Sequence, residues 1–225
     1  MQQPPSNSPL EVESLWRVEA TRYALLRRLA HPMRHHMVVH LQPIGMITEV
    51  LDRRLQAATT DFVHVQESMV RINGFSKAAV QSCLDVVSWL APDATTPISV
   101  AAGVAECLSL LRSNLSFRGF TVREELQDGA TPVLCCALRS VLPAVLLTLT
   151  DRAQAPATLV VQAQSSPGAA TVSLTVTADQ GSPGFAGEPP YRILDWDEVQ
   201  ALAEAESVSM RREGDTVHLA FSAVR

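Results

Sequence analysis

A chain of 225 residues that is 47% hydrophobic can bury one large core or two modest ones. Its formal charge of −5, from 18 Lys and Arg against 23 Asp and Glu, excludes bulk electrostatic binding of nucleic acid. No basic run resembles a phosphate-binding tail.

The opening stretch, MQQPPSNSPLEVES, is polar and proline-rich and lacks an apolar signal core, so residues 1–12 read as a disordered tail. The most apolar run, Val133 to Leu149, is broken by Arg139, Ser140 and Pro143. It falls short of the ~18 uninterrupted apolar residues of a membrane span. The expectation is a soluble cytoplasmic protein with no membrane partner. Cys83, Cys107, Cys135 and Cys136 show no CxxC spacing and sit in apolar segments, which predicts reduced core thiols.

From about Ser14 to Arg54, Leu15, Val18, Leu26, Leu29, Met33, Met37, Leu41, Ile44, Ile47 and Leu51 recur at three- and four-residue steps. That is the stripe of a long amphipathic helix. Pro32 and Pro43 lie inside it and predict bends near 28–32 and 39–43. A second helical pattern runs from about Ala57 to Leu90, with Asn73-Gly74 as its weak point. Two such helices cannot cover their own stripes. A dimeric four-helix bundle is the economical solution, placing a helical-hairpin domain over 13–92.

Pro92 to Pro97 reads as a linker, and short mixed elements follow. The patterns predict a helix from Val100 to Leu115, a strand from Phe120 to Leu126, and a second helix from about Val133 to Arg152. Strands over Thr158–Gln164 and Thr171–Thr177, a Gly- and Pro-rich loop, a helix at Trp196–Ala205 and a terminal hairpin complete a second domain over 97–225.

Four of the six histidines, His31, His35, His36 and His40, fall within the first helix. An imidazole has a reference pKa of ~6.5 and is a competent nucleophile at neutral pH. On the outer face of a helix it is offered to a visiting protein. Arg27, Arg28 and Arg34 lie nearby and are candidates to dock an acidic partner or neutralise phosphoryl oxygens. The i,i+4 pairs His31/His35 and His36/His40 have a chelating spacing, but no carboxylate or thiol stands near to complete a metal shell. No metal is expected.

The order of elements resembles the catalytic core of a sensor histidine kinase, over about residues 14–225. That family places apolar residues two, six and nine positions after its phosphoacceptor histidine, then an acidic-apolar-apolar run. Counting from His35 gives Met37, Leu41, Ile44 and later Glu49-Val50-Leu51, whereas His31 and His36 each lose part of the pattern and remain alternatives. Pro97 to Leu126 is similar to the opening helix and strand of the family's ATP domain. Val141 to Ala153 resembles the segment that normally reads N-L-L-x-N-A-x-D-A, with Ala144 and Thr148 where asparagines belong and Asp151 kept. Asp179 to Gly184 resembles the D-x-G-x-G loop, whose acid contacts adenine. The second glycine-rich box is missing, and His36 replaces the acid that would serve as general base.

The resemblance thus implies an α+β chain: a long helical hairpin forming a dimeric four-helix bundle, followed by a degenerate histidine-kinase-type ATPase α/β sandwich. Thr148, Asp151, Asp179, Gly181 and Gly184 become relics of a nucleotide site. The closest functional resemblance is to histidine phosphotransferases of the ChpT-like kind. These relay phosphoryl groups between receiver domains without ATP, the receiver bringing its own Mg²⁺. The implied partners are response-regulator receiver domains and a second copy of the chain, and no cofactor is implied for the chain itself. An active kinase with a divergent ATP site and a non-catalytic dimeric scaffold are the other readings.

Overall fold

The computed structural model describes residues 9–57, 61–91, 93–127, 131–180, 184–185 and 189–224. The chain is α+β, and its described residues divide into two compact units, one formed by Met1–Leu29 with Pro92–Arg225 and the other by Ala30–Ala91. The first helix, α1 (Pro9–Leu55), is therefore shared. It starts inside the stretch expected as tail, because proline is tolerated in a helix's first turn. The rest of that expected tail, 1–8, lies outside the described residues.

In the Ala30–Ala91 unit, α1 runs unbroken through Pro32 and Pro43, so neither interrupts the helix. The second helix, α2 (Phe62–Leu90), starts later than the apolar pattern suggests. Asp61 sets that start, its carboxylate accepting the N–H groups of Val63 at 3.0 Å and His64 at 3.4 Å. The two helices touch where Cys83 Sγ lies 3.9 Å from Met37 Sδ. Apolar cover is thin here. Leu41, expected on the inner stripe, is exposed, and half-buried His36 and His40 take up the inward positions beside Met37 and Ile44. Cys83 is exposed as well, against the expectation of a core thiol.

The other unit is densely built. After β1 (Pro97–Ser99), Ser99 caps α3 (Val100–Phe117) by accepting the Ala102 N–H at 3.2 Å. Next come β2 (Phe120–Leu126), β3 (Pro132–Leu134) and α4 (Cys135–Arg152). Then follow β4 (Ala157–Ser166), β5 (Ala169–Ala178), α5 (Trp196–Ala205), β6 (Ser209–Glu213) and β7 (Thr216–Ser222). Five strands form a mixed sheet in the order β2-β4-β5-β7-β6, with β2 parallel to β4 and the other pairs antiparallel. β1 and β3 pair separately and antiparallel.

Strand alternation puts Leu159, Val161, Leu174, Val217 and Leu219 on the buried face of the sheet, while Gln162, Ser173 and His218 point away. Leu108, Leu111 and Leu115 of α3 and Leu138, Leu142 and Leu146 of α4 complete the core. Cys107 lies inside it, and burial pushes its thiol pKa up.

Candidate functional site

The histidine cluster lies in the Ala30–Ala91 unit, and its four rings differ in surroundings. Helical geometry sets three- and four-residue neighbours side by side, which decides who meets whom. His31 is exposed, and its Nδ1 accepts a hydrogen bond from an Arg34 guanidinium nitrogen at 3.2 Å. His36 and His40 are half-buried and meet edge to face, with ring centroids 6.0 Å apart. His35 is exposed, and among the described residues it makes no hydrogen bond, ion pair or ring contact. Of the four rings, His35 alone is exposed with no polar or ring contact among the described residues. Arg34, next to it in sequence, is exposed on the same helix. Among the described residues no three His, Cys, Asp or Glu side chains gather as a metal-holding group.

The three arginines expected to dock a partner part company. Arg27 is exposed and lies over the Tyr191 ring, 5.4 Å from its centroid. Arg28 is buried, its side chain only 3% exposed, and it grips Asp151 with both terminal nitrogens. Its guanidinium is therefore closed to an approaching protein, which corrects the docking role expected for it. A sequence pattern cannot see this, because the two residues stand 123 positions apart.

The positions that resemble a nucleotide pocket lie in the α/β unit. Asp151, itself 4% exposed, also receives Arg118 Nη2 at 3.0 Å. Both carboxylate oxygens are thus engaged by guanidinium groups. Burial pulls the Arg118 pKa down, and the neighbouring Asp151 charge opposes that shift. Thr148 is fully buried in α4, and its Oγ1 has no hydrogen-bond partner. Asp179 is exposed and accepts the Thr158 hydroxyl at 3.0 Å and the Gln180 N–H at 2.8 Å. Gly181 lies outside the described residues.

Gly184 has a packing role. A Cβ there would fall 2.2 Å from Gly119 N and from the Arg118 carbonyl carbon, so only glycine lets this backbone reach the α3–β2 turn. Phe185 fixes the contact: its N–H donates to Phe117 O at 3.0 Å, and the two rings stack at 5.1 Å.

Magnesium bridging ATP phosphates requires hard oxygen ligands. Ala144 has none, the Thr148 hydroxyl is sealed in, and the oxygens of Asp151 are already taken. These residues do not fit a Mg–ATP site. A cleft of about 410 Å³ does open at the end of α4, lined by Leu149, Arg152, Val176, Trp196 and Arg212 among others. Of its charged lining, Arg152 pairs with Asp195 at 3.1 Å, and both arginines lie over the Trp196 ring.

Similar solved structures include histidine kinases and a phosphotransferase. A bacterial phosphotransferase is matched over 98% of this chain and 100% of its own, at 15% identity and a TM-score of 0.41. The catalytic domain of histidine kinase ThkA matches 57% of this chain and 93% of its own, at 12% identity and 0.43. ThkA in complex with the response regulator protein TrrA matches 98% of this chain and 67% of its own, at 13% identity and 0.39. Scores this low leave any functional reading to rest on the chain's own residues. No protein-family profile matches the chain, and no curated protein is similar to it in sequence. Among the described residues no helix is long and apolar enough to cross a membrane.

Proposed function

We propose that this chain is a histidine phosphotransferase of a cytoplasmic two-component phosphorelay, passing phosphoryl groups between receiver-domain aspartates through His35. The observation that carries this reading is that His35, alone in its cluster, is both exposed and unengaged. An unprotonated ring nitrogen attacks the phosphorus of a receiver's aspartyl phosphate. The P–O bond to that aspartate breaks, its electron pair returns to the carboxylate, and a phosphoramidate forms on His35. Transfer onward reverses these events on a second receiver. Arg34, exposed on the same helix, adds positive charge that attracts the acidic receiver pocket. The receiver brings the magnesium.

Two further observations support the reading. At the nucleotide-like positions Asp151 is taken up by two ion pairs and Thr148 is buried, which favours a partner protein over ATP as phosphoryl donor. Met46, Val50, Met69, Val80, Leu84 and Val87 are exposed on the two long helices, a stripe suited to a second copy and thus to a four-helix bundle.

The test mixes the purified chain with a ³²P-phosphorylated receiver and no nucleotide. The expected result is acid-labile, base-stable label on the wild type and on His31→Gln and His36→Gln, and none on His35→Gln. Label from ATP alone would make the chain a kinase. Receiver binding without any label would make it a scaffold.

A further inference from the structure

The first half of α1 belongs with the α/β unit rather than with the helical pair, although sequence periodicity alone continues it into the helical domain. Apolar contact is part of the reason, since Ala24, Leu25 and Leu29 are buried. The polar contacts are more specific. Arg28 holds Asp151 of α4 in a two-pronged grip, the geometry a planar guanidinium offers a carboxylate. Arg118, at the turn after α3, closes on the same carboxylate at 3.0 Å and donates to Thr150 O at 3.0 Å. The backbone of Arg118 and Gly119 is in turn the surface against which Gly184 is seated. Toward the start of α1, Arg22 pairs with Glu206 beyond α5 at 2.8 Å, and Tyr23 meets Tyr191 edge to face.

We propose that Asp151, gripped by Arg28 of α1 and Arg118 of the α3–β2 turn, is an internal latch that makes the first half of α1 an integral part of the α/β domain. A carboxylate at a nucleotide-like position is thereby committed to holding a helix. The latch draws its strength from burial. Arg28 and Asp151 are almost completely shielded, so removing Asp151 strands the buried Arg28 charge, and removing Arg28 leaves Asp151 to Arg118 alone. Arg118 is partly exposed at 19% and can turn to water. The grip on α1 therefore depends on the Arg28–Asp151 pair. Nothing in this proposal requires phosphotransfer, so it and the relay reading stand or fall separately.

Hydrogen–deuterium exchange on the full chain tests it. In the wild type, amides of 17–29 should exchange as slowly as those of α4. Arg28→Met keeps the apolar stem and removes the charge. It should raise exchange in 17–29 by about tenfold or more while β4 and β5 stay protected. Unchanged protection in 17–29 would overturn the latch and assign the docking to Leu25 and Leu29 alone. Should Arg28→Met open the sheet as well, Arg28→Lys decides the matter, because it keeps the charge and loses the two-pronged grip. Selective loosening of 17–29 in that variant supports the latch, and wild-type exchange there overturns it.

Discussion

The helices α4 and α2 show how differently the two units are held. In its 18 residues, α4 buries a nearly continuous run from Val141 to Thr150. In its 29 residues, α2 buries only Ala79, Ser82 and Trp89. The α/β unit is a finished core with helices against one sheet face, whereas the helical pair leaves Phe62, Met69, Val80 and Leu84 in water. An element hydrophobic on more faces than its own fold covers is built for company. Under the proposed function the division makes sense. The dense unit is a support, and the open unit carries the reactive ring and the surfaces that meet other chains.

Substitutions can break or sharpen this contrast. Leu142→Ala should cost the α/β unit about 2–5 kcal/mol, the range for emptying a fully buried leucine site. The urea midpoint of the sheet signal reads that loss, and a change under 1 kcal/mol would mean the core is less tightly filled than its burial indicates. Leu84→Asp attacks the other unit. If a second copy covers that position, losing about 2 kcal/mol of apolar burial weakens association roughly 30-fold. Sedimentation should then show monomers whose α/β unit melts as in the wild type. An unchanged oligomeric state would remove Leu84 from any dimer interface.

Smaller effects follow at two glycines. Gly184→Ala forces a methyl into the Arg118–Gly119 backbone and should destabilise the α/β unit by about 1–3 kcal/mol, seen in thermal melts together with loss of the Phe117–Phe185 stack. Gly74→Ala, where a Cβ meets nothing within 4 Å, should stabilise α2 by about 0.5–1 kcal/mol without touching the sheet. A Gly74→Ala protein no more helical or stable than the wild type would show that α2 is limited by something other than helix propensity.

The parts legible in the sequence were those whose signal is local. The strand Phe120–Leu126 and the helix Trp196–Ala205 stand where their patterns placed them. In the helix the signal is chemical, with Glu198 accepting the Asp195 N–H at 2.9 Å to close its first turn. β1 and β3 escaped because three residues give too short a run to show a period of two. The linker expected over 92–97 ends at Pro97, where β1 begins. The helix expected from about Val133 begins at Cys135, because Val133 pairs with Ile98.

The site was legible in part. The histidine cluster and its arginines are visible as residues, but which imidazole is unengaged depends on three-dimensional neighbours. The Arg28–Asp151 contact joins residues 123 positions apart, and the sequence offers Arg28 to a docking partner where the fold buries it in a pair. Gly184 resembles part of an adenine-contacting loop in the sequence, and only the approach of the Arg118–Gly119 backbone shows why glycine stands there.

Mapping the phosphorylated position by mass spectrometry, after nucleotide-free incubation with a phosphorylated receiver, probes the central claim most directly. The account predicts phosphate on the peptide bearing His35, in a form lost at low pH and absent from the His35→Gln protein. Phosphate found on any other side chain, or appearing only when ATP is supplied, would contradict it.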